Sequence, residues 1–352
     1  MNCCINCFES QYIRAIISNN NTQGICDFCK SRDIYIYEPS ELNIFLKGII
    51  DLYIIDSING KPLDLQIKSD FDKKVFSQIL FNTHNTKKLI AEILKDDITD
   101  YRDVLENPVR LKFDNTENDI NQELLFSWDK FSEEIKTINR FHLNNPLDLE
   151  RLKLLFNNFG KEIPKGKKFH RARICVNKQG YNSSEMGSPP NEKATGGRAN
   201  PSGISYLYLS SDITTTLYET RASLFDYVSV GTFRLEKNIK VVNLSRNTYD
   251  VFRLAELDTL EDVIIHGNFI DKLEQELSKP RRKNDSELDY LPTQYLSELI
   301  KSMGFDGIEF KSSLYSEGTN LAIFNPEKFK CLEVKVYDIT NIKLDFKELS
   351  NL

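Results

Sequence analysis

Between about Ser40 and Asn158 apolar residues recur at three-to-four spacing, which gathers them on one face of a series of helices. Ser40 and Glu41 ahead of Leu42, Ile44, Phe45 and Leu46 predict a capped helix start. Thr86–Lys95 carries Leu89, Ile90, Ile93 and Leu94 on one helical face. Leu124–Phe141 repeats Leu125, Trp128, Phe131, Ile135 and Ile138. Leu147–Phe159 keeps the same rhythm up to Gly160, a stop signal.

The rhythm changes near Lys161. Short strand-like runs occupy Lys168–Val176, Ser205–Leu209, Tyr227–Leu235, Ile239–Leu244, Gly307–Phe310, Leu321–Phe324 and Cys331–Tyr337. Helical stretches at Thr214–Phe225, Leu260–Leu277 and Thr293–Met303 fall between them. Strands outnumber helices without strict alternation, so the fold class is α+β and not a doubly wound sheet. Lys279–Glu287, with Pro280, Arg281, Arg282 and Lys283, reads as a mobile loop.

The pattern divides the chain into a cysteine-rich module (1–39), a helical region (40–159) and a mixed α+β domain (160–352). A length of 352 residues suits two or three domains. The net charge of −6 speaks against broad nucleic-acid binding, and Arg281-Arg282-Lys283 beside Asp285 and Glu287 suits a solvated loop. No apolar run approaches the roughly 18–20 residues that a membrane span needs, and Ile44–Ile55 is interrupted by Lys47 and Asp51. The start Met1-Asn2-Cys3-Cys4 has no basic segment followed by an apolar one, so the expected location is the cytoplasm. Oligomeric state is left open, a homo-oligomer included.

Five of the seven cysteines lie in the first 29 residues. Cys4 and Cys7 form one C-x-x-C knuckle, Cys26 and Cys29 a second, with eighteen residues between them. Two intervening residues let one tight turn present both sulfurs to a tetrahedral metal, and the loop brings the second pair opposite. Four thiolates close the sphere, so the expected ion is a structural zinc that staples a module too small for its own core. Cys3 competes with Cys4 as a ligand. Cys175 and Cys331 sit in apolar, strand-like surroundings and read as small core residues.

The chemistry concentrates between Phe169 and Glu219. Two arginines, Arg171 and Arg198, an exposed Gly/Asn/Pro loop, a strand tyrosine and a carboxylate on the next helix fall within about fifty residues. Arginine grips phosphate oxygens with a fork of donors. An aromatic ring stacks on a planar base, and a carboxylate stabilises a cationic sugar transition state. Together they suit a diphosphate-bearing ligand. There is no G-x-G-x-x-G after a strand and no P-loop, which disfavours those nucleotide folds. His84, His142, His170 and His266 show no ligand spacing.

The strings Met186-Gly187-Ser188-Pro189-Pro190, Gly197-Arg198-Ala199-Asn200-Pro201-Ser202-Gly203-Ile204, Tyr206–Leu209 and Glu219-Thr220-Arg221 occur in that order and resemble the RES domain family. The resemblance continues through Tyr295–Ile300, Gly304–Ile308 and Asn320–Phe324, so it covers roughly 160 to 340. The family is named for an arginine, a glutamate and a serine, here Arg198, Glu219 and Ser312 in Phe310–Ser313. The resemblance implies an ADP-ribosyltransferase-like mixed β core and a toxin that depletes NAD by breaking its nicotinamide–ribose bond, as a glycohydrolase or a phosphorylase. It also implies a separately encoded antitoxin. By residue, it assigns Arg171 and Arg198 to the NAD diphosphate, Tyr208 to the nicotinamide with Tyr206 beside it, and Glu219 to the ribosyl oxocarbenium. Ser312 would position the ribose or Glu219.

Two positions depart from the family pattern. Ala199 stands where many short members have an aromatic residue, and Lys311 where proline is usual, so Ser313 competes with Ser312. The helical region is similar to the amino-terminal extension seen with zinc knuckles on some RES proteins, the HEPN/RES amino-terminal domain. Arg102, Arg110 and Arg140 have no histidine at the R-x-x-x-x-H offset, so the region is expected to regulate or assemble. Two other functions compete with NAD cleavage: transfer of ADP-ribose to a macromolecule, and non-catalytic sensing of NAD or another nucleotide.

Overall fold

A computed structural model describes residues 1–71, 74–113, 116–245, 249–279 and 286–343. Residues 1–123 fold with the distant stretch 247–268, and residues 124–246 with 269–352. Pro280–Asp285 of the expected loop lie outside the described residues.

The first unit begins with β1 (Cys3–Cys4), α1 (Gln11–Asn19), β2 (Gln23–Gly24) and β3 (Ile34–Tyr37). These strands form a small antiparallel sheet in the order β1-β3-β2. Then come α2 (Asn43–Ile50), β4 (Tyr53–Ile55), α3 (Leu63–Phe71), α4 (Gln78–Asn82), α5 (Thr86–Ile93), α6 (Ile98–Glu106) and β5 (Val109–Leu111). The helix start expected at Ser40 moves to Asn43. Pro39–Leu42 winds into a 3-10 turn, and the Ser40 hydroxyl donates to Glu38 and caps no helix amide. The β4–β5 ribbon was not legible in the helical pattern.

Hydrogen bonds and a shared core join the cysteine module to the helices that follow it. Ser77 donates its amide to the Cys7 carbonyl (3.0 Å), and Asn85 Nδ2 donates to the Phe28 carbonyl (2.7 Å). Phe8 and Phe28 are sealed into the same core as Phe76, Leu89 and Ile90. A module of under forty residues buries too little surface alone, so it shares the core of its neighbours.

The chain continues through α7 (Thr116–Thr137), α8 (Leu149–Asn158), β6 (Gly160–Ile163), β7 (Lys168–Cys175), β8 (Leu207–Ser210), α9 (Ile213–Thr220), β9 (Tyr227–Leu235) and β10 (Ile239–Asn243). It passes α10 (Val251–Glu256) and α11 (Leu260–Ile265), which belong to the first unit. There, Asp250 caps α10 and accepts the Ser10 hydroxyl and the Tyr12 amide. Last come α12 (Gly267–Ser278), α13 (Leu291–Ser302), β11 (Gly307–Lys311), β12 (Thr319–Ile323) and β13 (Phe329–Asp338).

The second unit is built on one eight-stranded mixed sheet, in the order β13-β9-β7-β8-β12-β11-β10-β6. All its neighbours are antiparallel except β10 and β11. The fold is α+β, as the unequal mixture of strands and helices predicts. Phe169, Leu207, Leu209, Phe233, Leu321 and Ile323 form part of its core. Gly160 does not cap α8; it enters β6 opposite Val242. The helix expected to reach Phe225 stops at Thr220, because Arg221 takes a left-handed φ of 53°. Among the described residues, no helix is long and apolar enough to cross a membrane.

Candidate active site

The sheet opens where the site forms. β7 lies along β9 for eight residues but meets β8 at a single pair, His170 opposite Ser210. Beyond it the two strands part, and α9 fills the gap. The Ala172 amide, which would otherwise need a strand partner, donates to the Thr216 hydroxyl of α9 at 2.9 Å. Asp212 starts α9 by accepting the Thr215 amide (2.8 Å) and hydroxyl (2.6 Å). Burial works against the Asp212 carboxylate, yet these donors hold its pKa below the usual range.

A cleft of about 340 Å³ lies at this fork, with Arg171, Arg198, Tyr208, Glu219, Phe310 and Asn320 among its lining. Glu219 occupies the last turn of α9, where the helix dipole disfavours an anion. Two neutral donors offset this: Ser312 Oγ (2.7 Å) and Asn320 Nδ2 (2.8 Å), both to Oε1 of Glu219. Ser312 is buried and also accepts the amides of Leu314 (3.2 Å) and Tyr315 (3.1 Å), so its hydroxyl is aimed by its own turn. Ser313 is exposed.

Arg171 donates to the carbonyls of Met186 and Gly187, and Arg173 also donates to Gly187. Burial, and then the like charge of Arg173, push the Arg171 pKa down to about 10, so the group stays cationic at neutral pH. Arg198 donates to the carbonyls of Leu277 and Ser278 at the end of α12. Among the described residues, neither Arg171 nor Arg198 has a carboxylate partner. Two partly buried cations favour an anionic ligand, and each guanidinium has five donor hydrogens to share.

The loop that carries Arg198 is fixed from beneath. Tyr208 donates to Asn200 Oδ1 (2.8 Å) and accepts the Ala199 amide (3.3 Å), while its ring lines the cleft. Desolvation pushes the Tyr208 pKa up to about 12, so the hydroxyl remains a donor. Asn200, buried, spends its amide on the carbonyls of Thr195, Pro201 and Ile204. From α13, Gln294 grips the Gly197 carbonyl (2.8 Å) and Thr293 the Arg198 carbonyl (2.6 Å). A Cβ on Gly197 would lie 2.5 Å from Asn200 Oδ1 and 3.0 Å from the Tyr208 hydroxyl, so glycine is required there.

Of the six residues singled out, Arg171, Arg198, Tyr208 and Glu219 line one cleft, and Ser312 reaches it through Glu219. Tyr206 does not. It precedes β8 and is buried against Phe324, with Lys301 above its ring, outside the cleft lining. Asn320, Ser210, Thr216 and Asn200 went unassigned. Asn320 carries a signal: an asparagine heading an apolar strand must satisfy its amide somewhere.

In the first unit, the sulfurs of Cys4, Cys7, Cys26 and Cys29 are buried and all lie within 4.8 Å of one another. Closest approaches are 3.4 Å (Cys4–Cys29), 3.5 Å (Cys7–Cys26) and 4.0 Å (Cys4–Cys7). A tetrahedral ion with metal–sulfur bonds of about 2.3 Å separates its sulfurs by about 3.8 Å, so the set fits zinc. Cys3 is not in the set; its thiol donates to the Tyr37 carbonyl at 3.4 Å.

The model of the RES domain family matches residues 169–346. No curated protein matches the chain. Among solved structures, a chain of the M. tuberculosis MbcT-MbcA toxin-antitoxin complex is similar over 54% of this chain and 93% of its own, at 12% identity and a TM-score of 0.30.

Proposed function

The chain belongs to the RES domain family, and from that premise we propose that it is an NAD-consuming toxin that breaks the nicotinamide–ribose bond. The observation that carries the reading is the carboxylate of Glu219, doubly anchored by Ser312 and Asn320, in a cleft lined by two arginines that have no carboxylate partner among the described residues. In this reading Arg171 and Arg198 bind the diphosphate, and the Tyr208 ring packs on the nicotinamide. The C1′–N bond breaks with its electron pair passing to the pyridinium nitrogen. Nicotinamide therefore leaves neutral and needs no general acid. Glu219 stabilises the oxocarbenium left behind, as carboxylates do in glycoside cleavage, and water or phosphate captures it.

The four-cysteine cluster holds a structural zinc in this reading and takes no part in the chemistry, since four thiolates leave no open position. The protein acts in the cytoplasm, on cellular NAD, and is held in check by a separately encoded antitoxin.

Incubation of the purified protein with NAD, with and without phosphate, tests the reaction by chromatography of released nicotinamide. Release is expected without any macromolecular acceptor. Glu219→Gln is expected to lower it more than about 100-fold while NAD binding by calorimetry persists. No release from the wild type under either condition would overturn the reading.

A further inference from the structure

The two donors to Glu219 share one oxygen. Ser312 Oγ and Asn320 Nδ2 both point to Oε1, and among the described residues Oε2 accepts no hydrogen bond. The carboxylate is therefore held by one edge, and its other oxygen is left for the cleft that Glu219 lines. Asn320 is itself held. It lies directly opposite Ser210 in the β8–β12 register, and the Ser210 hydroxyl donates to Asn320 Oδ1 at 2.8 Å. An asparagine amide can flip by half a turn and offer Oδ1 in place of Nδ2. A flipped amide would set Oδ1 against the acceptor-only Glu219 carboxylate, and the Ser210 hydroxyl, by donating to Oδ1, supports the orientation in which Nδ2 faces Glu219. Both residues are buried, at 3% and 6% exposure, so water does not readily replace either partner.

We infer that Asn320, oriented by Ser210, is a positioning residue that sets the Glu219 carboxylate for bond cleavage, in series Ser210 to Asn320 to Glu219. The inference rests on the NAD-cleaving reading for its catalytic consequence, and on the hydrogen bonds alone for its structural one. β-Strand preference gives no reason for asparagine at this place, since the residue is disfavoured in strands. A site that breaks a local rule and satisfies it through a reacting group is the expected mark of function.

Asn320→Ala is expected to lower kcat for nicotinamide release by roughly 10- to 100-fold, the effect of losing a hydrogen bond to a charged group, with KM changed little. Ser210→Ala, which keeps the amide but leaves Oδ1 without its donor, is expected to give a smaller loss, and Ser210→Thr, which keeps the hydroxyl, to recover it. In a Glu219→Gln background Asn320→Ala should cost nothing further, because residues that act in series are not additive. Independently of turnover, the side-chain carboxyl carbon of Glu219, assigned by its loss in Glu219→Gln, should shift in the carbon-13 NMR spectrum of Asn320→Ala. If that protein is unstable, Ser210→Ala supplies the same measurement. An unmoved resonance in the folded variants would overturn the inference, as would a moved resonance with wild-type kcat or additive losses. A moved resonance in a protein that releases no nicotinamide would keep the positioning and overturn the proposed reaction.

Discussion

At Gly197 and Ser312 the smallest side chains bear the sharpest constraints. Gly197 carries no Cβ because Asn200 and Tyr208 occupy that space. Gly197→Ala should loosen the loop that presents Arg198, destabilise the second unit by about 1–3 kcal/mol and weaken NAD binding; urea denaturation and calorimetry measure the two effects. Ser312 and Ser313 are neighbours with opposite surroundings, one buried against Glu219 and the other exposed. Ser312→Ala removes a donor to the carboxylate and leaves the Leu314 and Tyr315 amides without their acceptor. It should lower nicotinamide release by roughly 10- to 100-fold, whereas Ser313→Ala should leave it near wild type.

The element that matters most is α9. It is only eight residues long, begins on Asp212 and ends on the left-handed Arg221, and it stands where β7 and β8 separate. A helix this short has little stability of its own, so its cap and the Thr216–Ala172 hydrogen bond hold it in place. Asp212→Ala should cost about 1–2 kcal/mol in denaturation and should lower nicotinamide release through misplacement of Glu219, although Asp212 is not in the cleft lining. Thr214–Phe225 was readable as helical from its pattern. Its early stop was not, because a left-handed non-glycine residue leaves no compositional mark.

Across the whole molecule the two units rest on different supports. The second has a large sheet and its own core, and the first adds a four-cysteine cluster to its packing. Metal removal by a strong chelator, or Cys26→Ser, should therefore open the first unit before the second. Hydrogen exchange should rise first in α1, α4 and α5 and only later in β7 to β12. Equal exchange with and without metal would remove zinc from the account.

The amino-acid sequence by itself determined the elements and the ingredients of the site. Periodicity set most helices and strands, since burying one face of each demands it. The knuckle spacing picked out the four cysteines that converge, and the ordered strings from Met186 to Glu219 held Arg198, Tyr208 and Glu219 of the cleft lining. Tertiary structure alone decided which of two neighbouring residues points inward. It chose Cys4 over Cys3 and set Ser312, not Ser313, against Glu219; it also turned Tyr206 away from the cleft. It joined 247–268 to the first unit and set Asn320 opposite Ser210. Spacing reports only local geometry. Strand register and the satisfaction of buried polar groups depend on partners more than a hundred residues away, and these settle where a side chain points.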